Sequence, residues 1–164
     1  HKILECLDFT KAESEEQVQR QLEALQEENK MSREEADSVR VRDLVWLAKG
    51  MLGQRMKRAY QKGRLYTEQP FVMAVPASQI RADYLEQEEI LVQGIIDAYF
   101  EESDGLVIVD YKTDWVPDRN GQILVERYQK QLWYYREALE RLTGKKVKKM
   151  YLYSFSLGKA LECV

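Results

Sequence analysis

Two apolar runs, Leu91-Val92-Gln93-Gly94-Ile95-Ile96 and Leu106-Val107-Ile108-Val109, flank the polar segment Glu101-Glu102-Ser103-Asp104-Gly105. Runs of this kind read as buried strands, and the segment between them has the turn chemistry of a β-hairpin. Charges sit at the far ends: Asp97 closes the first run, and Asp110 and Lys112 close the second. The register follows from counting. With Ser103-Asp104 at the turn, Asp97 stands opposite Asp110; with Asp104-Gly105 there, it stands opposite Lys112. Opposed residues share a face, as do residues two apart on one strand. Either two-residue turn therefore gathers Asp97, Asp110 and Lys112 on one side, and only a three-residue turn separates them. Charges inside apolar strands are costly unless paired or bound to a metal. A lone Asp–Lys ion pair would close the hairpin but leave the second carboxylate as an uncompensated like charge. Two carboxylates beside one lysine instead suit a hard divalent cation and a positioned nucleophile.

A chain of 164 residues that is 45% hydrophobic is long enough for one globular domain with a substantial core. No apolar run approaches bilayer length, which excludes a membrane-spanning helix. The two cysteines, Cys6 and Cys163, lie near opposite ends with no CxxC spacing. That excludes a disulfide framework and a four-cysteine zinc or iron–sulfur site within the chain, and a reducing cytoplasmic setting is expected. The chain opens on His1 with no signal-like region, and is expected to be a fragment of a longer polypeptide.

Net charge of −3 argues against a uniformly basic nucleic-acid binder. Residues 44–67 nevertheless hold Lys49, Arg55, Lys57, Arg58, Lys62 and Arg64 and no acid. A helix would align Arg55, Arg58 and Lys62 on one face. That stripe reads equally as a track for a phosphate backbone and as a solvated surface. The Lys145–Lys149 cluster reads as protection of a strand edge.

Periodicity divides the chain at about residue 60. Residues 1–60 read as a helical segment: a short helix over 1–9, a second over 12–29, and a third opened by the capping-box pattern Ser32-Arg33-Glu34-Glu35 and running to Ala59. Residues 61–164 read as a sheet core, with strands over 65–75, 79–84 and the hairpin, then a loop at 117–121. A helix over 123–142 follows, ended by Gly144, and a last strand over 147–157, after which Gly158 starts a tail. The order predicts an α/β fold, a small mixed β-sheet flanked by helices with an N-terminal helical segment.

These residues resemble the C-terminal nuclease domain of the AddA/RecB class of bacterial helicase–nucleases, in the PD-(D/E)xK superfamily. Gly94-Ile95-Ile96-Asp97 followed by Asp110-Tyr111-Lys112-Thr113 is similar to the family's G-x-x-D and D-Y-K-T signatures. Gln131 to Tyr135 matches its Q-x-x-x-Y motif, and His1 matches the histidine closing an upstream G-T-x-x-H motif. Glu68-Gln69-Pro70-Phe71 is similar to its acidic element before the core strands, and 152–158 to the last strand of AddA-type subunits. The match spans essentially the whole chain. The lack of an iron–sulfur cysteine set favours the AddA type over its partner subunit, and counts against a CRISPR adaptation nuclease; a restriction-type enzyme is a further possibility.

The resemblance implies a metal-dependent deoxyribonuclease, an exonuclease in the full complex, that hydrolyses a DNA strand delivered by an attached helicase during double-strand-break processing for recombinational repair. It implies His1, Asp97, Asp110 and the Tyr111 backbone carbonyl as ligands of Mg²⁺, with Mn²⁺ able to substitute. Lys112 would orient the attacking water. Gln131 would contact the DNA strand or hold the Lys112 loop, with Tyr135 and Glu68 behind the site, Glu68 alternatively as a ligand for a second metal; each also reads as structural, Tyr135 as core and Glu68 as an exposed strand end. Trp115, in the loop after the second active strand, is placed to stack on DNA. The implied partners are DNA, the attached motor domains and a separate AddB-type chain; ATP serves only the motor, and the implied setting is the bacterial cytoplasm. The alternative is a non-catalytic DNA-end-binding or subunit-docking module. Such modules normally lose a carboxylate or the lysine, and this sequence keeps all three.

Overall fold

The computed structural model describes residues 2–83, 85 and 87–164. Five helices come first: α1 (Lys2–Cys6), α2 (Glu15–Glu27), α3 (Arg33–Asp37), α4 (Val41–Lys49) and α5 (Met51–Gln61). Strands β1 (Leu65–Pro76), β2 (Glu89–Glu102) and β3 (Gly105–Lys112) follow, then helix α6 (Gln122–Thr143) and strands β4 (Val147–Ser154) and β5 (Lys159–Cys163). The strands form one mixed sheet in the order β1-β2-β3-β4-β5. Only β3 and β4 run parallel, and α6 is the crossover that a parallel pair requires. Side chains alternate across β3. Val107, Val109 and Tyr111 pack against the N-terminal helices, while Leu106 and Ile108 meet Leu132 and Leu139 of α6. This is the expected α/β sandwich.

Three expectations need correction. The capping box at Ser32 is complete, with Ser32 Oγ accepting from the Glu35 N–H and the Glu35 carboxylate accepting from the Ser32 N–H. Its helix nevertheless ends at Asp37 instead of running to Ala59. The backbone is extended at Arg40 and again at Gly50, so the periodic stretch becomes three helices. α5 lies so close to the end of α4 that a Cβ on Gly53 would sit 2.0 Å from the Leu47 carbonyl oxygen, an approach that needs glycine. The strand expected over 79–84 is replaced by a 3₁₀ turn at Ala77–Gln79 and a bend beyond it, with Tyr84 outside the described residues. Finally, the strand expected to reach Leu157 stops at Ser154. The Gly158 N–H donates to the Ser154 carbonyl at 2.8 Å, and the chain returns as β5 where a tail was expected.

The hairpin settles into the first of its two registers. Pairing runs from Glu102 opposite Gly105 to Ala98 opposite Val109, with Ser103-Asp104 at the turn. Beyond Ala98 the two strands part company. β2 continues against β1 alone, as far as Glu89 opposite Pro76, while β3 continues beside β4 as far as Lys112 opposite Ser154. The sheet thus forks between Asp97 and Asp110. At the same level Glu68 takes φ of 51° and drops out of the β1–β2 pairing between Thr67 and Gln69. The faces of the β1–β2 ribbon exchange there. Leu65 packs toward the N-terminal helices, whereas Phe71, Met73 and Val75 pack toward Tyr134 and Ala138 of α6.

Candidate active site

The fork explains how Asp97 comes to face Asp110. Where the ladder opens, the Tyr111 N–H loses its strand partner and donates instead to Asp97 Oδ2 at 2.9 Å. A buried N–H must be paired, and here a side chain takes over from main chain. That bond aims the Asp97 carboxylate across the gap. Asp110, one residue earlier on β3, projects toward α6 and is 2% exposed.

Lys112 projects from the same face. Its Nζ lies 2.9 Å from Asp110 Oδ2 and donates to Gln131 Oε1 at 3.0 Å. The approach to Asp110 is close but off the hydrogen-bonding direction, so Oδ2 remains a buried acceptor without a hydrogen bond. Burial, reinforced by the neighbouring Asp97, pushes the Asp110 carboxyl well above the ordinary carboxylate range, and Lys112 only partly opposes this. A buried acceptor with unspent capacity beside a second carboxylate fits a divalent cation. The donor chemistry, carboxylate oxygens, is that of hard cations such as Mg²⁺. Among the described residues no set of three or more His, Cys, Asp or Glu side chains gathers as a metal cage. His1, expected as a further ligand, lies outside the described residues.

α6 forms the opposite wall. Tyr128, Gln131 and Tyr135 are spaced three and four apart and so share one side of the helix. The Tyr135 ring meets Phe71 edge-on, with centroids 5.6 Å apart. Gly94 makes room for both, since a Cβ there would lie 3.0 Å from the Phe71 ring and 3.6 Å from Tyr135. The Tyr135 phenol is pushed up by burial first and then by the charges of Asp110, Asp97 and Glu68. Glu68, raised by burial and by Asp97, therefore shares the acidic cleft. Tyr128 and Asp114 were not singled out for this site in the sequence, although the one-sided spacing of Tyr128 with Gln131 was a signal available there. The Tyr128 ring lies 3.9 Å from Lys112 Nζ, and its hydroxyl donates to Asp114 Oδ2 at 2.7 Å.

The expected basic stripe does not survive intact. Arg55 is committed elsewhere: its Nε and Nη2 donate to the two oxygens of Glu102 at 3.1 and 2.7 Å, and its Nη1 donates to the Tyr151 hydroxyl at 3.0 Å. The guanidinium also lies over the Phe100 and Tyr151 rings. A phosphate would have to displace all of these partners, so the stripe reduces to exposed Arg58 and Lys62. Trp115 is 77% exposed. With Thr113 and Arg40 it lines a cleft of about 880 Å³ between the loop after β3 and the N-terminal helices. No described helix is long and apolar enough to cross a membrane.

A family model for the PD-(D/E)XK nuclease superfamily matches residues 1–161. An A-type ATP-dependent helicase/nuclease subunit of Lachnoclostridium phytofermentans is 36% identical over 195 aligned residues, covering 99% of this chain and 14% of that protein. The protein of the same name from Clostridium kluyveri is 40% identical over 166 residues, covering 99% and 13%. That from Alkaliphilus oremlandii is 38% identical over 165 residues, covering 99% and 14%. The chain thus spans only 13–14% of the length of these curated relatives.

Proposed function

The chain belongs to the PD-(D/E)XK nuclease superfamily, and on that premise we propose that it is the Mg²⁺-dependent deoxyribonuclease domain of a bacterial helicase–nuclease. It hydrolyses phosphodiester bonds of a DNA strand fed to it by motor domains elsewhere in the same polypeptide, as an exonuclease in the full complex. The relatives' name couples a helicase to a nuclease and marks them as subunits, which supports an attached ATP-driven motor and an AddB-type partner. Double-strand-break processing in the bacterial cytoplasm is the corresponding role. In domain terms, residues 1–60 form a helical buttress and residues 61–164 the catalytic sheet core of one nuclease domain.

The observation that carries this reading is Asp110: a buried carboxylate with an oxygen that accepts no hydrogen bond, beside a second carboxylate and a lysine. Asp97, Asp110 and the Tyr111 carbonyl would hold the cation, with His1 as a further ligand and Mn²⁺ as a substitute for Mg²⁺. When bound, a divalent cation supplies positive charge against the phosphoryl oxygens as the transition state gathers negative charge. The protein's own groups do the rest. Lys112 orients the attacking water with one N–H and offsets charge on the phosphate, while Gln131 fixes the lysine tip by accepting from it. Tyr135 and Phe71 keep water from the apolar side of the cleft, and Glu68 adds to the negative field that attracts the cation. Arg58, Lys62 and Trp115 would guide the strand toward the site.

A non-catalytic module would have no need for a buried Asp110 beside the half-buried Asp97 with the lysine in place, and that favours the enzyme. The test is cleavage of linear DNA in Mg²⁺ by wild type, Asp97→Ala and Asp110→Ala. Both variants should lose activity while keeping fold and DNA affinity. Near-normal rates in either, with contaminating nuclease excluded, would overturn the reading.

A further inference from the structure

Lys112 carries three N–H donors, and its ammonium group has three neighbours. Asp110 lies on one side, Gln131 accepts on another, and the Tyr128 ring stands 3.9 Å away on a third. These holds differ in kind. Asp110 also belongs to the carboxylate pair, and a carboxylate whose charge is taken up by a cation attracts an ammonium group less. The contacts from α6 are free of that conflict. Tyr128 is itself restrained: its hydroxyl donates to Asp114 Oδ2 at 2.7 Å, and Arg127 Nη1 donates to the same oxygen at 2.8 Å. Asp114 lies two residues beyond Lys112, in the irregular segment after β3. The Tyr128–Asp114 bond therefore ties the chain just past the lysine to the helix that faces it, and holds the ring against the amine.

We propose that Tyr128, tethered by Asp114, is a positioning residue that holds the Lys112 side chain in its working rotamer through a cation–π contact. The inference rests on the nuclease reading of the site. The full chain carrying Tyr128→Leu should cleave DNA with kcat lowered about 5- to 30-fold, the range of a partly desolvated cation–π contact, and KM within about twofold. Tyr128→Phe keeps the ring and loses the tether, so its loss should be smaller. Asp114→Ala removes the same Tyr128 bond and also releases Arg127, so it should lower kcat at least as much as Tyr128→Phe, and adding Tyr128→Phe to Asp114→Ala should cost nothing further. NMR of lysine-labelled protein supplies a readout that a general packing role would not move: the ring shifts the Lys112 ε-methylene protons upfield in wild type, and the shift should shrink in Tyr128→Phe and Asp114→Ala, which keep the ring but release it.

Lys112→Ala, run in parallel, separates the two possible failures. If Tyr128→Leu keeps wild-type kcat, or Asp114→Ala leaves the Lys112 shift at its wild-type value, while Lys112→Ala is inactive, the positioning role is wrong and the nuclease site stands. If Lys112→Ala itself cleaves at the wild-type rate, the lysine has no part in the chemistry and both ideas fall.

Discussion

Asp110→Asn should make the metal-free protein more stable while abolishing cleavage. The buried carboxyl is raised from its ordinary 3.8 to about 7, chiefly by burial and then by Asp97. At about 1.36 kcal/mol per pH unit, that difference corresponds to a cost of about 4 kcal/mol for holding the group charged in the fold. Asparagine removes that cost, which is already net of the attraction to Lys112, but its amide must be paired inside the buried cleft, so a net gain on the order of 1–3 kcal/mol is expected. The native state keeps the Asp110 proton to higher pH than the unfolded chain does. Wild-type stability from this group is therefore full below about pH 4 and is lost as pH rises toward 7. The advantage of Asp110→Asn should grow across that window and level off above it. Urea unfolding with a chelator present, at pH 5 and 8, measures both quantities. Mg²⁺ should then stabilise wild type by mass action and leave the variant unmoved. If Asp110→Asn is instead less stable than wild type at pH 8 without metal, the Lys112 ion pair already satisfies the carboxylate, and the site is not poised for a cation.

Three further perturbations test the scaffold and the approach to the site. Arg55→Ala should cost about 1–3 kcal/mol in thermal denaturation while leaving DNA affinity nearly unchanged. The hydrogen bonds from Arg55 hold Glu102 down at about 2, so the stabilisation from that pair should be complete above about pH 4.5 and fade as pH falls toward 2. Gly53→Ala drives a Cβ toward a backbone oxygen 2.0 Å away that has no side-chain freedom to yield, and should lose more than about 2 kcal/mol or fail to fold. Charge reversal at Arg58 and Lys62 together should weaken DNA binding and flatten the slope of log affinity against log salt by about 1.5 to 2; an unchanged slope would identify both as solvated surface.

The hairpin was legible in the sequence because its information is local. A turn flanked by two apolar runs allows few registers, and counting brought Asp97, Asp110 and Lys112 to one face in either two-residue case. α6 was legible for a similar reason, with one apolar stripe and Gly144 at its end. The breaks at Arg40 and Gly50 were hidden because hydrophobic spacing continues through them, and what separates the helices is packing on the sheet. β5 was missed because five residues, two of them charged, carry little alternation. The role of Arg55 could not be read locally at all, since its partners Glu102 and Tyr151 are 47 and 96 positions away. Glu68 carried an acidic signal, but nothing in its neighbours announced the left-handed backbone that turns the ribbon over.

Asp97 and Asp110 are rooted in different halves of the divided sheet, one in the β1–β2 ribbon and the other in the β3–β4 pair, bridged at that level by the bond from the Tyr111 N–H to Asp97. The two carboxylates therefore stand like the jaws of a caliper whose hinge is the last rung of the β2–β3 ladder. Their opening is governed by the angle at which the strands diverge, and by whatever packing along α6 sets that angle. On the proposed reading, a substitution at Val75, packed under the ribbon against α6, would change which ionic radius the jaws accept without altering either carboxylate.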